Sequence, residues 1–231
     1  MIDKSLNYGR HNISYFARII SHYTVVLDLG AGKGDDLLIY KSINPSAKIM
    51  ALEGYAPNIP LLQSRGVHAI THNLEVDRFP FDDLSLDVVN ANQILEHTKE
   101  IFWIFHEVTR CLKVGGYFVV AVPNLASLHN RFLLLMGKQP TPIQNDSAHV
   151  RGFTKSDFLQ FLQIWGGYEL IAFKGSNFYP FPPLIAEPLA KLQPNMAWSI
   201  FFLLRKARAY ENEFVKWPIQ KRLETNFYVG G

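Results

Sequence analysis

The feature that most constrains this chain is the stretch Val25-Val26-Leu27-Asp28-Leu29-Gly30-Ala31-Gly32-Lys33-Gly34-Asp35. An apolar run takes in an acid, three glycines follow at alternate positions, and Leu37-Leu38-Ile39 opens a helical pattern. Strand, glycine turn and helix in that order describe the first strand-to-helix joint of a nucleotide-binding sheet. Glycine lets the backbone turn sharply and lets a ligand lie against main chain where a Cβ would collide. The helix start beyond it exposes N–H donors. The spacing is G-x-G-x-G rather than the G-x-G-x-x-G of dinucleotide sites, and no G-K-[ST] ending follows, which excludes a P-loop. An acid this close to the turn repels a pyrophosphate and suits a cationic ligand.

Lys48-Ile49-Met50-Ala51-Leu52 reads as a second strand ending at Glu53-Gly54. An acid there lies beside the first glycine turn in a doubly wound sheet. Its carboxylate can accept from both hydroxyls of a ribose, and Glu53 follows Gly30 by 23 residues, near the ~20 expected for that role. A third strand over 66–70 leads into the loop His72-Asn73-Leu74-Glu75. A buried fourth strand through Val88-Val89 runs into Asn90-Ala91-Asn92-Gln93-Ile94-Leu95-Glu96-His97, where sheet, ligand and acceptor should meet. Ile101, Phe105, Val108 and Leu112 then repeat at helical spacing, with Gly115-Gly116 expected to cap that helix. Tyr117–Val122 is a fifth strand, closed by Pro123-Asn124.

Asp28-Leu29-Gly30-Ala31-Gly32-Lys33-Gly34 resembles the first motif of class I S-adenosylmethionine-dependent methyltransferases. Further signals agree in order: P-F-x-D-x-S-x-D from Pro80, L-E-H from Leu95, R-x-L-K-x-G-G from Arg110 and V-P-N from Val122. They resemble the small-molecule branch of that family over roughly Tyr23 to Tyr168. The resemblance implies an α/β, Rossmann-like, doubly wound and mostly parallel seven-stranded sheet, with S-adenosylmethionine as cofactor. It assigns Asp28, Gly30, Ala31, Gly32, Gly34, Glu53 and Gly54 to the cofactor, Asn73 and Leu74 to its adenine, and Asn92 and Gln93 to the same cleft. His97 is the histidine that it places most specifically beside the reaction.

The rest of the chain suggests embellishment of that core. Residues 1–23 read as an N-terminal helix on the sheet edge, 24–124 as the cofactor-binding core, 125–153 as a substrate cap and 154–206 as the second half of the sheet. Residues 207–231 form a C-terminal extension, whose aromatics should cover the fold or a partner subunit. At 231 residues this is one domain with additions. Phe178–Pro194 is a proline- and aromatic-rich excursion before a seventh strand over Trp198–Leu204.

For chemistry, methyl transfer from a sulfonium needs mainly proximity and alignment. A hydroxyl acceptor adds a use for a general base. His97 is one candidate and equally a brace for the next helix. His149 with Asp146 is another, and equally a lid latch or part of a carboxylate–histidine metal site. No dense ligand set is legible, so no obligatory metal is expected. His129, Arg131 and Arg151 are candidates to grip an acceptor, an anionic one for the arginines.

The absences narrow the partners. No long basic block suggests nucleic acid, and Asn92-Gln93-Ile94 is not the Asn-Pro-Pro-Tyr type that holds a flipped adenine. The longest apolar run, Ala197–Leu204, is far shorter than the ~20 residues of a membrane helix. No apolar signal core follows Met1, and the lone Cys111 excludes an intrachain disulfide. The expectation is a soluble cytoplasmic enzyme acting on a small molecule or biosynthetic intermediate, oxygen slightly preferred. A sugar or lipid-linked acceptor, peripheral lipid contact and a homodimer are all compatible. The alternatives are a cofactor-binding scaffold without catalysis and, further off, an NAD-dependent oxidoreductase.

Overall fold

The computed structural model describes residues 8–229 of the chain. Its centre is a seven-stranded sheet: β1 (Val25–Leu29), β2 (Lys48–Glu53), β3 (His68–Thr71), β4 (Leu86–Asn92), β5 (Leu112–Pro123), β6 (Tyr168–Ser176) and β7 (Ser199–Lys206). Their spatial order is β3-β2-β1-β4-β5-β7-β6. The first five strands run parallel, and β7 lies antiparallel to both β5 and β6. Strand order reverses between β1 and β4, so a crevice opens beyond their carboxyl ends.

Helices cover both faces, which is why the central strands read as nearly unbroken apolar runs. On one face lie α1 (Arg10–Ile20), α2 (Asp35–Ile43) and α3 (Ile59–Ser64). The fully buried Ile13, Phe16 and Ala17 of α1 pack with Val119, Ala121, Phe201 and Leu203. The N-terminal helix therefore lies over β5 and β7 and reaches the edge strand β6, where Asn12 Nδ2 donates to the Gly175 carbonyl at 3.2 Å. Gly9 brings the chain against Phe201, whose ring would be 2.1 Å from a Cβ there. The part of that helix expected before residue 8, Asn7 included, lies outside the described residues.

The other face carries α4 (Ile101–Cys111), α6 (Lys155–Leu162) and α8 (Glu213–Lys221). Phe105 is the hub: its ring lies 4.9–6.0 Å from those of Phe118, Phe158, Phe161 and Phe214. Each such buried side chain contributes about 1.5–3 kcal/mol. Phe214 belongs to the C-terminal extension, which covers the fold. Farther along, Phe227 lies 6.0 Å from Trp103, and Asn226 N donates to Glu100 Oε2 at 3.0 Å.

Two other expectations change. α4 ends at Cys111, where Leu112 is already extended, so Gly115-Gly116 is not its cap. Those glycines lie inside β5 at its irregular pairing with β4, and a Cβ on Gly116 would meet the Asp87 carbonyl at 3.0 Å. The aromatic excursion contains a helix, α7 (Pro183–Leu192), which with α5 (Leu128–Leu135) packs around Phe178 and Ala186. No helix among the described residues is long and apolar enough to cross a membrane.

Two charge sites, one buried and one half-buried, fix the loops opposite the crevice. Arg110 donates to both oxygens of Glu107 at 2.9 and 2.6 Å, to Asp83 at 2.7 Å, and to the carbonyls of Phe81 and Phe79. Asp87 accepts from Thr24 N and Oγ1, Val25 N and Lys113 Nζ. Burial alone would raise the Asp87 pKa, but these donors outweigh it and hold the carboxyl down to about 2.

Arg110→Ala leaves Glu107, 1% exposed, as an uncompensated buried carboxylate. It is expected to lower stability by about 3–5 kcal/mol in urea unfolding. Asp87→Asn tests the second site. Because the folded pKa is depressed, the wild-type advantage over the variant should be full above the ordinary carboxylate range. It should fade as pH falls through that range toward 2. Unfolding curves of both proteins between pH 6 and 2 measure that difference.

Candidate functional site

The crevice beyond β1 and β4 is divided into two clefts that share Gly30. One, of about 550 Å³, runs past Glu53, Asn73, Leu74, Ile94 and His97. The other, of about 470 Å³, is walled by Tyr8, Arg10, Asp28, Asp36, Asn92 and Gln93. The glycine turn between them is built by tertiary neighbours. Gly30 has φ 63°, donates to the Leu52 carbonyl at 2.8 Å, and would set a Cβ 2.6 Å from Ile94 Cδ1. Gly32, at φ 54°, has open space where a Cβ would project. One glycine makes room for protein and the other leaves room for a ligand.

Glu53 is buried beside that turn. Its Oε2 accepts from Gly32 N at 2.7 Å and its Oε1 from Tyr55 N at 2.8 Å. Each carboxylate oxygen retains a lone pair, so the group can position the turn and still accept from a ligand hydroxyl. Asn73 faces the same cleft, but its side chain accepts from Glu75 N at 3.0 Å and closes its own loop. Asp77, which the sequence reading did not single out, also lines this cleft and accepts from Asn73 N at 3.0 Å.

The second cleft is acidic. Asn90 Nδ2 donates to Asp28 Oδ1 at 2.8 Å, and Asn92 Nδ2 to Asp36 Oδ2 at 2.7 Å. Arg10 reaches Asp36 at 3.1 Å and Asp35 at 3.2 Å. Burial, then the charges of Asp36 and Glu53 against the Asn90 hydrogen bond, hold the Asp28 carboxyl well above its ordinary range. A ligand cation would relieve that repulsion; a ligand anion would add to it. Asn92 Oδ1 and Gln93 Nε2 are buried here without partners. Asp36 went unremarked in the sequence because its role comes from α2 folding back over β1. Its place in the first turn of the helix after a glycine turn was the available signal.

Beyond Ile94 the chain makes one 3-10 turn, Leu95–His97. Glu96 on it is buried, and burial pushes its carboxyl up to about 8. His97 is exposed on the cleft wall, and its ring lies edge-on to that of His149, centroids 4.6 Å apart. Burial, then the charge of His97, lowers the His149 pKa. The cap reaches this turn through Val150 N and Arg151 N, which donate to the Glu96 carbonyl at 2.8 and 3.3 Å.

The expected pairing of His149 with Asp146 is not formed. His149 Nδ1 is held 2.9 Å from the Pro142 carbonyl, and Asp146 is exposed on the cap. His129 lies 4.5 Å from Tyr179 and 5.7 Å from Trp198, ring to ring, and meets Thr141 Oγ1 at 3.2 Å. It braces the cap against the sheet. Arg131 is exposed and donates to the Ala126 carbonyl. Arg151 donates to the Lys99 carbonyl at 2.9 Å while its Nε is buried without a partner. Glu96 stands beside His97 in the L-E-H signal, and nothing in that spacing marks its carboxyl as buried where the cap meets the turn.

Comparisons with known proteins bear on this geometry. Residues 27–120 match the family model described as a methyltransferase domain. An uncharacterized 37.1 kDa protein in a transposon of Streptomyces fradiae is 27% identical over 106 residues, 44% of this chain and 31% of that protein. The match thus spans under a third of that relative's length. Among solved structures, a SAM-dependent methyltransferase from Archaeoglobus fulgidus superposes with a TM-score of 0.60 at 15% identity, covering 86% of this chain and 93% of that one. The 1,6-didemethyltoxoflavin-N1-methyltransferase of Burkholderia thailandensis, solved with its substrate and S-adenosylhomocysteine, gives 0.60 at 15% identity, over 89% and 80%. At such identities the likeness is one of fold.

Gly30→Ala and Gly32→Ala should separate the two glycines. Both incur the cost of positive φ, about 1–2 kcal/mol. Only the first also drives a methyl into Ile94. Thermal unfolding should therefore show the larger loss for Gly30→Ala, and equal losses would contradict this assignment.

Proposed function

From the premise that the chain carries a methyltransferase domain of the class I, S-adenosylmethionine-dependent family, we propose that it methylates a small molecule or biosynthetic intermediate. One observation carries the reading: the open space over Gly32 lies beside the buried Glu53 carboxylate at the ends of β1 and β2. The residues fit S-adenosylmethionine. Glu53 would accept from its ribose, Asn73 and Leu74 would flank its adenine, and Gly32 would leave room for it within a turn shaped by Gly30, Ala31, Gly34 and Gly54. Asp28 and Asp36, with the amides of Asn92 and Gln93, would surround its cationic amino-acid end. When bound, S-adenosylmethionine supplies an electrophilic methyl group on a sulfonium, with a neutral thioether as leaving group.

What remains for the protein is alignment and the exclusion of water. The turn Ile94–Thr98 forms the wall nearest the acceptor, and the cap over residues 125–153 closes above it. His97 and His149 stand on the acceptor side, where a hydroxyl proton needs a destination. An oxygen acceptor is therefore preferred. The partnerless Nε of Arg151 suits an acceptor carrying an anionic group. Exposed Phe132, Leu134 and Leu135 on the cap suit one with a greasy or lipid-linked portion, and a sugar intermediate is compatible with both. Such a reaction fits a cytoplasmic enzyme.

The acidic second cleft disfavours a dinucleotide, whose pyrophosphate would meet Asp28, Asp35 and Asp36. Calorimetry with S-adenosylhomocysteine, and NAD as parallel control, tests the reading. Binding of the first alone is expected. Glu53→Ala should weaken it at least about tenfold, the loss of a charge-assisted hydrogen bond. Unchanged affinity in that variant would overturn the assignment.

A further inference from the structure

Three donor side chains that the cofactor reading does not use converge where the cap meets the sheet. Glu96 is 1% exposed, and its Oε2 is buried with no hydrogen-bond partner. A carboxylate oxygen is costly in that state unless something completes it. His97 follows it in the same turn, and His149 arrives from the cap. One ligand atom from each lies within 4.8 Å of the other two.

The backbone favours one tautomer of each histidine. His97 Nδ1 sits 3.4 Å from the Ala148 carbonyl, and His149 Nδ1 2.9 Å from that of Pro142. A carbonyl only accepts, so in the neutral rings each Nδ1 carries the proton and each Nε2 keeps its lone pair. Histidines that hold metals are oriented in this way, with the second nitrogen donating to a carbonyl or carboxylate.

We propose that Glu96, His97 and His149 bind one Zn²⁺-type divalent ion through Glu96 Oε2 and the two Nε2 atoms. Two imidazoles and a carboxylate are the donor set of zinc sites that keep a fourth position for water or a substrate oxygen. Magnesium and calcium, which favour all-oxygen shells, fit poorly. Tetrahedral bonds of about 2.0–2.1 Å set donors roughly 3.4 Å apart, so the cluster must contract from its present span. The cap can follow that contraction as a unit, because Val150 N and Arg151 N already tie it to the Glu96 carbonyl. The ion would staple cap to turn. Through His97 it would also reach the wall of the larger cleft, where an acceptor oxygen could take the fourth position; with both Nε2 lone pairs on the ion, that oxygen would release its proton to solvent and not to either ring. Sequence spacing concealed this set, because its third member is distant along the chain.

The test needs neither cofactor nor acceptor, so its failure leaves the methyltransferase reading untouched. Full-length protein stripped with a chelator is titrated with Zn²⁺ against a chromophoric competitor. One equivalent is expected to bind, and Glu96→Gln, His97→Asn and His149→Asn should each weaken it at least about tenfold. Circular dichroism shows which variants have folded. Co²⁺ added to the wild-type protein should give an intense tetrahedral ligand-field spectrum, and zinc-edge absorption should report two imidazoles. Absence of stoichiometric binding, affinity unchanged in the folded variants, or fewer than two imidazoles would each overturn the proposal.

Discussion

The structure depends on the reversal of strand order between β1 and β4. Side-by-side parallel pairing of Val26, Leu27 and Asp28 with Val88, Val89 and Asn90 brings two strand ends together and sends their following turns apart. The crevice is the space this leaves. The Asn90–Asp28 hydrogen bond sits at that junction and keeps a buried acid in place under the glycine turn. Burial of Asp28 is tolerated because an amide donor meets it on one side and the second cleft opens on the other.

Electrostatics then divide the crevice. The second cleft gathers Asp28, Asp35 and Asp36, opposed within it by Lys33 and by Arg10 from the N-terminal helix. That end favours a ligand cation. The larger cleft carries Glu53, Glu75 and Asp77 without a lysine or arginine, and its outer wall carries His97. The loops at the opposite end of the sheet are pinned by Arg110, which bridges Glu107 and Asp83.

The cap and the tail are held by different means. The tail is anchored by aromatic burial, Phe214 lying among Phe105, Phe161 and Tyr210. The cap is tied by backbone hydrogen bonds, Leu125 to Phe153 and Val150 and Arg151 to Glu96, and by His129 and Leu128 against the aromatic segment and α7. Large apolar side chains on it stay exposed, Leu135 at 82%.

By itself the sequence determined what local pattern can encode. The glycine turn, the five parallel strands with their helices, and the acid ending the second strand were all legible, because strand periodicity and turn chemistry act over a few residues. Tertiary structure decided what depends on distant parts of the chain meeting. It turned Gly30 against Ile94, engaged Glu53 with the Gly32 amide and folded α7 out of a proline-rich excursion. It also separated His149 from Asp146 and set it against His97. Spacing in sequence constrains neighbours within a turn of helix or strand. Which side chains share a buried volume is fixed only when the whole chain has packed.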